Sequence, residues 1–298
     1  MQNLSVNHLL IKARSHLKKE ELPEAQKLYN SILNIFPENK RAQQGLKTLN
    51  NLMENLSTKI SSQQTLNHLI NLYNDGKFEA VIAQGEFARE QDPETFILWN
   101  IIGSSAFNLG MIDKAINAYN RSILLNPDYA ENYLNKGLAL KIQGKLDEAL
   151  IAYKKAISLK PDCPNAYCNM GNAFQAQGMI DQAIASYNKA ISLKPDYADA
   201  YNNMGIAYKT KRNYDQALIA YSKAISIKKD YAEPYSNMSV IFKYQNKLDQ
   251  AIAACKMALS IKPNYADAYN NLGNAFKAQG IFDQAICAYK KVLSINSN

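Results

Sequence analysis

The chain has 298 residues, a formal net charge of +8, and 47% hydrophobic against 20% charged residues, which rules out a disordered tail and leaves enough apolar material for a large core. Three His and four Cys leave little for a metal centre or a catalytic triad. No apolar run approaches the roughly 18 residues of a membrane span and Met1–Ser15 carry no secretory stretch, so a cytoplasmic, reducing setting with free thiols and no membrane insertion is expected.

Taken in chain order, residues 6–39 read as a degenerate two-helix unit that keeps Ala25, Tyr29 and Pro37. Lys40 to Leu56 reads as a longer helix, and Ser57-Thr58 with Ser61-Ser62 as a break. Residues 1–61 are therefore expected to form a divergent N-terminal helical region, a cap with a connecting helix. An array follows over 62–298. Its first unit, 62–95, is degenerate but keeps Asn67, Gly76 and Pro93 in register. Six stronger units then fill 96–129, 130–163, 164–197, 198–231, 232–265 and 266–298.

The period is 34 residues, and several columns carry it. Trp99, Tyr133, Tyr167, Tyr201, Tyr235 and Tyr269 form one; Gly103, Gly137, Gly171, Gly205, Ser239 and Gly273 lie four residues on. Ala115, Ala149, Ala183, Ala217, Ala251 and Ala285 form a small column, followed by Tyr119, Tyr153, Tyr187, Tyr221, Cys255 and Tyr289. Within 164–197, Tyr167, Met170, Gly171 and Phe174 share one helical stripe, and Ile180, Ala183, Ile184, Tyr187 and Ile191 a second. Gly178 separates them as a positive-φ position. Lys194-Pro195 ends the pair, and Asp196 is expected to cap the next helix, with Asp199 in its first turn. A glycine inside a helix costs about 1 kcal/mol relative to alanine, so its recurrence implies close approach of the partner helix. No unit buries its stripes alone, so units must stack.

On these residues the chain resembles the tetratricopeptide repeat proteins: Trp99-x2-Ile102-Gly103, Tyr167-x2-Met170-Gly171-x2-Phe174 and Tyr269-x2-Leu272-Gly273-x2-Phe276, with the Ala, Tyr and Pro columns that follow, match that family's pattern. The strict 34-residue period separates it from the pentatricopeptide RNA readers, which repeat at 35. The resemblance implies an all-α fold, a right-handed superhelical solenoid of antiparallel helix pairs whose first helices line a concave groove. Asn67, Asn135, Asn169, Asn203, Asn237 and Asn271 would line it, with Ile101 interrupting the column. A side-chain amide donates and accepts, so such a ladder suits the main chain of an extended peptide. The targeting arrays of O-linked N-acetylglucosamine transferases resemble this chain in that ladder. The same column also reads as a device that sets the geometry between repeats.

Lys141, Lys209, Lys243 and Lys277 give the expected groove a basic edge, and Glu131, Asp199, Glu233 and Asp267 an acidic one, although both rows also complement helix termini. Lysines late in the second helices read as a solvated outer face. Nucleic acid is not an expected partner, because most tyrosines fall in buried columns; Tyr244 is the exception, and Cys168 is expected on the inner face. The Lys that a chaperone-tail clamp needs before the Asn column is absent from Asn100, Leu134, Cys168, Asn202, Ser236 and Asn270.

No phosphate loop, zinc motif or nucleophile elbow occurs, and no Cys pair has metal-ligand spacing. The expectation is a non-catalytic scaffold, not an enzyme, with no cofactor and no metal, that binds a protein or extended peptide. The alternative is the substrate-recruiting arm of a larger glycosyltransferase or sulfotransferase. Apolar residues such as Ile286 and Val292 near an end with no polar capping helix also point to self-association there.

Overall fold

The computed structural model describes residues 2–19, 21–91 and 94–296; Pro93, expected to close the degenerate unit, lies outside them. All regular structure among the described residues is helical. The chain divides into two compact units, Met1–Ile101 and Ile102–Asn298.

The first unit contains α1 (Gln2–Lys18), α2 (Leu22–Ile35), α3 (Lys40–Asn74), α4 (Phe78–Gln91) and the start of α5 (Phe96–Asn108). Leu10, Ala13, Ala25, Tyr29, Ile32, Ala42 and Leu49 form its core across the first three helices. The break expected at Ser57–Ser62 does not occur: α3 is one 35-residue helix that runs through it. Serine and threonine cost less than about 0.7 kcal/mol each inside a helix, and they keep the backbone N–H that proline lacks. The stop comes at Asp75 and Gly76, where φ is 74°. The last turns of α3 thus supply the first helix of the 62–95 pair.

The second unit continues from α5 with α6 (Ile112–Leu125), α7 (Ala130–Ile142), α8 (Leu146–Leu159), α9 (Pro164–Ala176) and α10 (Ile180–Leu193). It then runs through α11 (Ala198–Thr210), α12 (Tyr214–Ile227), α13 (Ala232–Tyr244), α14 (Leu248–Ile261), α15 (Ala266–Ala278) and α16 (Phe282–Asn296). It is an α-solenoid of antiparallel pairs, each stacked on the last. Gly178 has the expected positive φ of 77°; two sister turns hold the same conformation with Arg212 (φ 60°) and Asn246 (φ 58°). Asp196 does not cap α11. The capping residue is Tyr197, one position later, and it makes no side-chain cap bond, while Asp199 lies in the first turn as expected.

The tight packing has a specific source. A Cβ built on Gly205 would lie 2.6 Å from Cε1 of Tyr221, so the glycine makes room for a tyrosine ring from the second helix of its own pair. The Ala column beside these rings is buried throughout. Between pairs, polar links bridge 30 residues: Gln143 donates to Asp113 at 2.5 Å, Gln177 to Asp147 at 2.8 Å and Gln279 to Asp249 at 2.7 Å. Lys211 makes the same link to Asp181 at 2.5 Å. Each ties the end of a first helix to the start of the second helix in the preceding pair. First helices α7, α9, α11, α13 and α15 also approach one another in turn, whereas among the described residues the second helices of this unit do not. The first-helix side is therefore the inner side of the stack.

Candidate functional site: the first-helix face

The Asn column lies at the seams of this inner layer. Asn203 Nδ2 donates to Asn172 Oδ1 at 3.0 Å, Asn237 Nδ2 to Asn202 Oδ1 at 3.4 Å, and Asn271 Nδ2 to Ser236 Oγ at 3.0 Å. All three bonds join consecutive first helices. No such bond ties Asn135 or Asn169 among the described residues, and both are half-buried. Asn67 stands apart, exposed on α3 in the first unit, where its Oδ1 accepts from Gln63 of the same helix at 2.9 Å.

The lysine row is less uniform than its spacing. Lys209 is the most enclosed: its Nζ donates to Asn237 Oδ1 at 3.1 Å, and burial pushes its pKa down. Lys141 and Lys243 are half-buried and Lys277 is exposed. Lys243 Nζ sits 5.2 Å from the ring of Tyr244, which is 65% exposed and stacks on Tyr214 at 6.1 Å. Cys168 is not an exposed inner-face thiol. It is 3% exposed, and burial raises its pKa while Tyr197 and Asn203 bond its sulfur.

A further row was not singled out in the sequence. Tyr129, Cys163, Tyr197, Tyr231 and Tyr265 precede successive first helices at the same 34-residue spacing. Tyr231 packs on Ala198 and Ala224, beside Tyr201 and Ile227. Tyr265 packs on Ala232, Ala258 and Ala268, beside Tyr235. Lys194, Lys228 and Lys262 place their ammonium groups 5.1, 4.8 and 4.8 Å from the rings of Tyr197, Tyr231 and Tyr265. The phenol of Tyr231 bonds Asp199, and that of Tyr129 donates to Glu131 at 2.5 Å. Burial first, then the Glu131 bond and charge, push the Tyr129 pKa up to about 12. Cys163 carries no ring, and a cavity of about 320 Å³ opens beside it among Ala130, Leu134, Asn135, Ala156 and Lys160. The signal that finds this row is the recurring Asp/Asn-Tyr-Ala tripeptide at 128–130, 196–198, 230–232 and 264–266, from which Cys163-Pro164 departs.

All four cysteines are free. Among the described residues no His, Cys, Asp and Glu group could hold a metal ion, and no helix is long and apolar enough to cross a membrane. On α16, Phe282, Ile286 and Leu293 are 63%, 52% and 68% exposed.

Family models described as TPR repeat match residues 137–178, 171–211 and 240–280. Models described as tetratricopeptide repeat match 198–231 and 266–298, 118–151, and 97–129. Jointly they span well over half of the chain. No curated protein matches it. Among solved structures 480 chains match, a breadth that speaks to fold and not to one activity. The hetero-tetramer Cut9-Hcn1 of the APC/C matches 97% of this chain at 18% identity and a TM-score of 0.65. This chain covers only 53% of that one, about half its length. MamA 41-end from Desulfovibrio magneticus RS-1 matches 56% of this chain and 95% of its own at 20% identity, with a TM-score of 0.50. Another MamA structure is 28% identical over 56% of this chain and 92% of its own, with a TM-score of 0.49.

Proposed function

Since the chain belongs to the tetratricopeptide repeat family, we propose that it is a protein-interaction scaffold that holds an extended segment of a partner on its first-helix face. The observation that carries this reading is the pair Asn135 and Asn169, two half-buried amides one repeat apart with no bond to a neighbouring helix. Asn203, Asn237 and Asn271 spend donors on the seams, so they hold the spacing of the ladder while the other two keep donor and acceptor for a ligand. Lys141 on the helix of Asn135, and Lys243 two repeats beyond Asn169, add positive charge along the first helices, which favours a segment with acidic side chains. The role is binding, not catalysis, and free thiols suit a reducing cytoplasm.

The test is a joint Asn135→Ala, Asn169→Ala variant, with affinity for a captured partner measured by calorimetry. Two amide-to-backbone bonds at about 0.5–1.5 kcal/mol each predict a roughly ten- to hundred-fold loss, with helicity unchanged. Affinity kept within about two-fold would place the partner elsewhere.

A further inference from the structure

We propose that the cavity beside Cys163 is a seat for an aromatic side chain, tyrosine above all, offered by the segment bound on the first-helix face. The proposal rests on the binding reading above and names what that segment must carry.

The protein itself shows what the seat is shaped for. At each later junction a tyrosine of the chain occupies the equivalent place. Ala130 and Ala156 correspond to Ala198 and Ala224, which floor the Tyr231 site, and to Ala232 and Ala258, which floor the Tyr265 site. Lys160 corresponds to Lys194, Lys228 and Lys262, each about 5 Å from a tyrosine ring, yet it borders open space. Glu131 corresponds to Asp199, the carboxylate that takes the Tyr231 phenol. Glu131 already accepts from Tyr129, and a carboxylate has a second oxygen to offer. Apolar floor, ring-facing ammonium and phenol acceptor are thus all present, and only the ring is missing. A thiol at Cys163 replaces it, leaving a cavity of about 320 Å³, at the small end of ligand pockets. An aliphatic side chain would fill the floor but gain neither the cation–π contact nor the phenol bond. Asn135 borders the same cavity, so a main chain held by that amide brings its neighbouring side chain to the seat.

The probe is N-acetyl-L-tyrosinamide, titrated into the full chain while the backbone amides of Ala130, Ala156 and Asn165 are followed by NMR. Saturable shifts at these amides are expected, with N-acetyl-L-leucinamide roughly three-fold weaker. Cys163→Tyr restores the chain's own ring and should abolish the response without loss of helicity; Cys163→Ala leaves the seat open and should keep it. No saturation in the wild-type protein, equal saturation in Cys163→Tyr, or equal binding of the leucine probe overturns the proposal. If a captured partner is lost by the Asn135, Asn169 double variant yet unaffected by Cys163→Tyr, the seat has no part in binding and the groove reading survives. If the probe behaves as expected while the double variant keeps its partner, the seat stands and the Asn ladder falls.

Discussion

Tyr187 donates its phenolic proton to Asn172 Oδ1 at 2.8 Å, reaching from the second helix of its pair to the inner face of the first. Tyr289 does the same to Asn274 at 2.9 Å. In the pairs 130–163 and 198–231 the position of Asn172 is taken by Leu138 and Ile206. There the phenols of Tyr153 and Tyr221 are buried with no hydrogen-bond partner.

The four rings should therefore respond differently to loss of the hydroxyl. Tyr187→Phe removes one of the two bonds that Asn172 Oδ1 accepts and leaves the one from Asn203, for a cost of about 0.5–1.5 kcal/mol. Tyr153→Phe and Tyr221→Phe remove an unsatisfied buried group and should be neutral or stabilising by up to about 1 kcal/mol. Urea unfolding midpoints of the three variants decide it, and an equal loss at all three positions would contradict the assignment.

Ser239 and Cys255 form a matched replacement. Everywhere else in 96–298 a glycine faces a tyrosine ring; here the extra serine atoms occupy the space that a ring would need, and the two side chains bond. Cys255→Tyr alone should overpack the pair by about 1–3 kcal/mol. Adding Ser239→Gly should recover most of that loss, because the double variant recreates the Gly205–Tyr221 arrangement. A double-mutant cycle measures the coupling; simple additivity would show that the two sites are independent.

Alkali should find the same cysteine first. Burial pushes the Cys255 thiol from 9.0 up to about 11, only partly offset by the Ser239 bond. Below pH 9 native and unfolded chains are both protonated there, and the group adds no pH dependence. Between 9 and 11 the unfolded chain loses the proton and the native one keeps it, so stability falls as pH rises, by about 2–3 kcal/mol over the window. The buried phenols, whose pKa values burial also raises, act in the same direction only above 10. Melting temperatures from pH 8 to 11 should drop from about pH 9 in the wild type. Burial also raises the Cys168 thiol, which acts in the same window, so Cys255→Ala should show a shallower fall above pH 9 than the wild type; parallel curves would refute the assignment.

The repeat and its buried columns are legible in the chain because their cause is local. A glycine, an alanine and an aromatic at fixed offsets read the same in each unit, and Gly205 beneath Tyr221 is the contact that the spacing implies. The break at Ser57–Ser62 misleads because serine clusters mark loops only by frequency; nothing in their chemistry stops a helix. Asp196 misleads by one position, since the helix begins on the far side of Tyr197. The amide links Gln143–Asp113 and Gln177–Asp147 join residues in different columns 30 apart, so reading down a single column cannot reveal them. Cys168 looks inner-facing by register, yet Tyr197 from the next junction covers it. The Asn ladder is half legible: its position is in the sequence, but which members are already engaged is settled by the neighbouring pair.

The missing member of the amide links has its own consequence. Gln245 makes no such bond to Asp215 among the described residues. The pair it belongs to also turns on a strained Asn246 and lacks the ring that fills its sisters. In a linear stack each pair is held only by its neighbours, so a junction with fewer contacts weakens the coupling between the blocks on either side of it. Thermal breathing of the second unit should accordingly favour the junction between α12 and α13, dividing it into two shorter cooperative blocks.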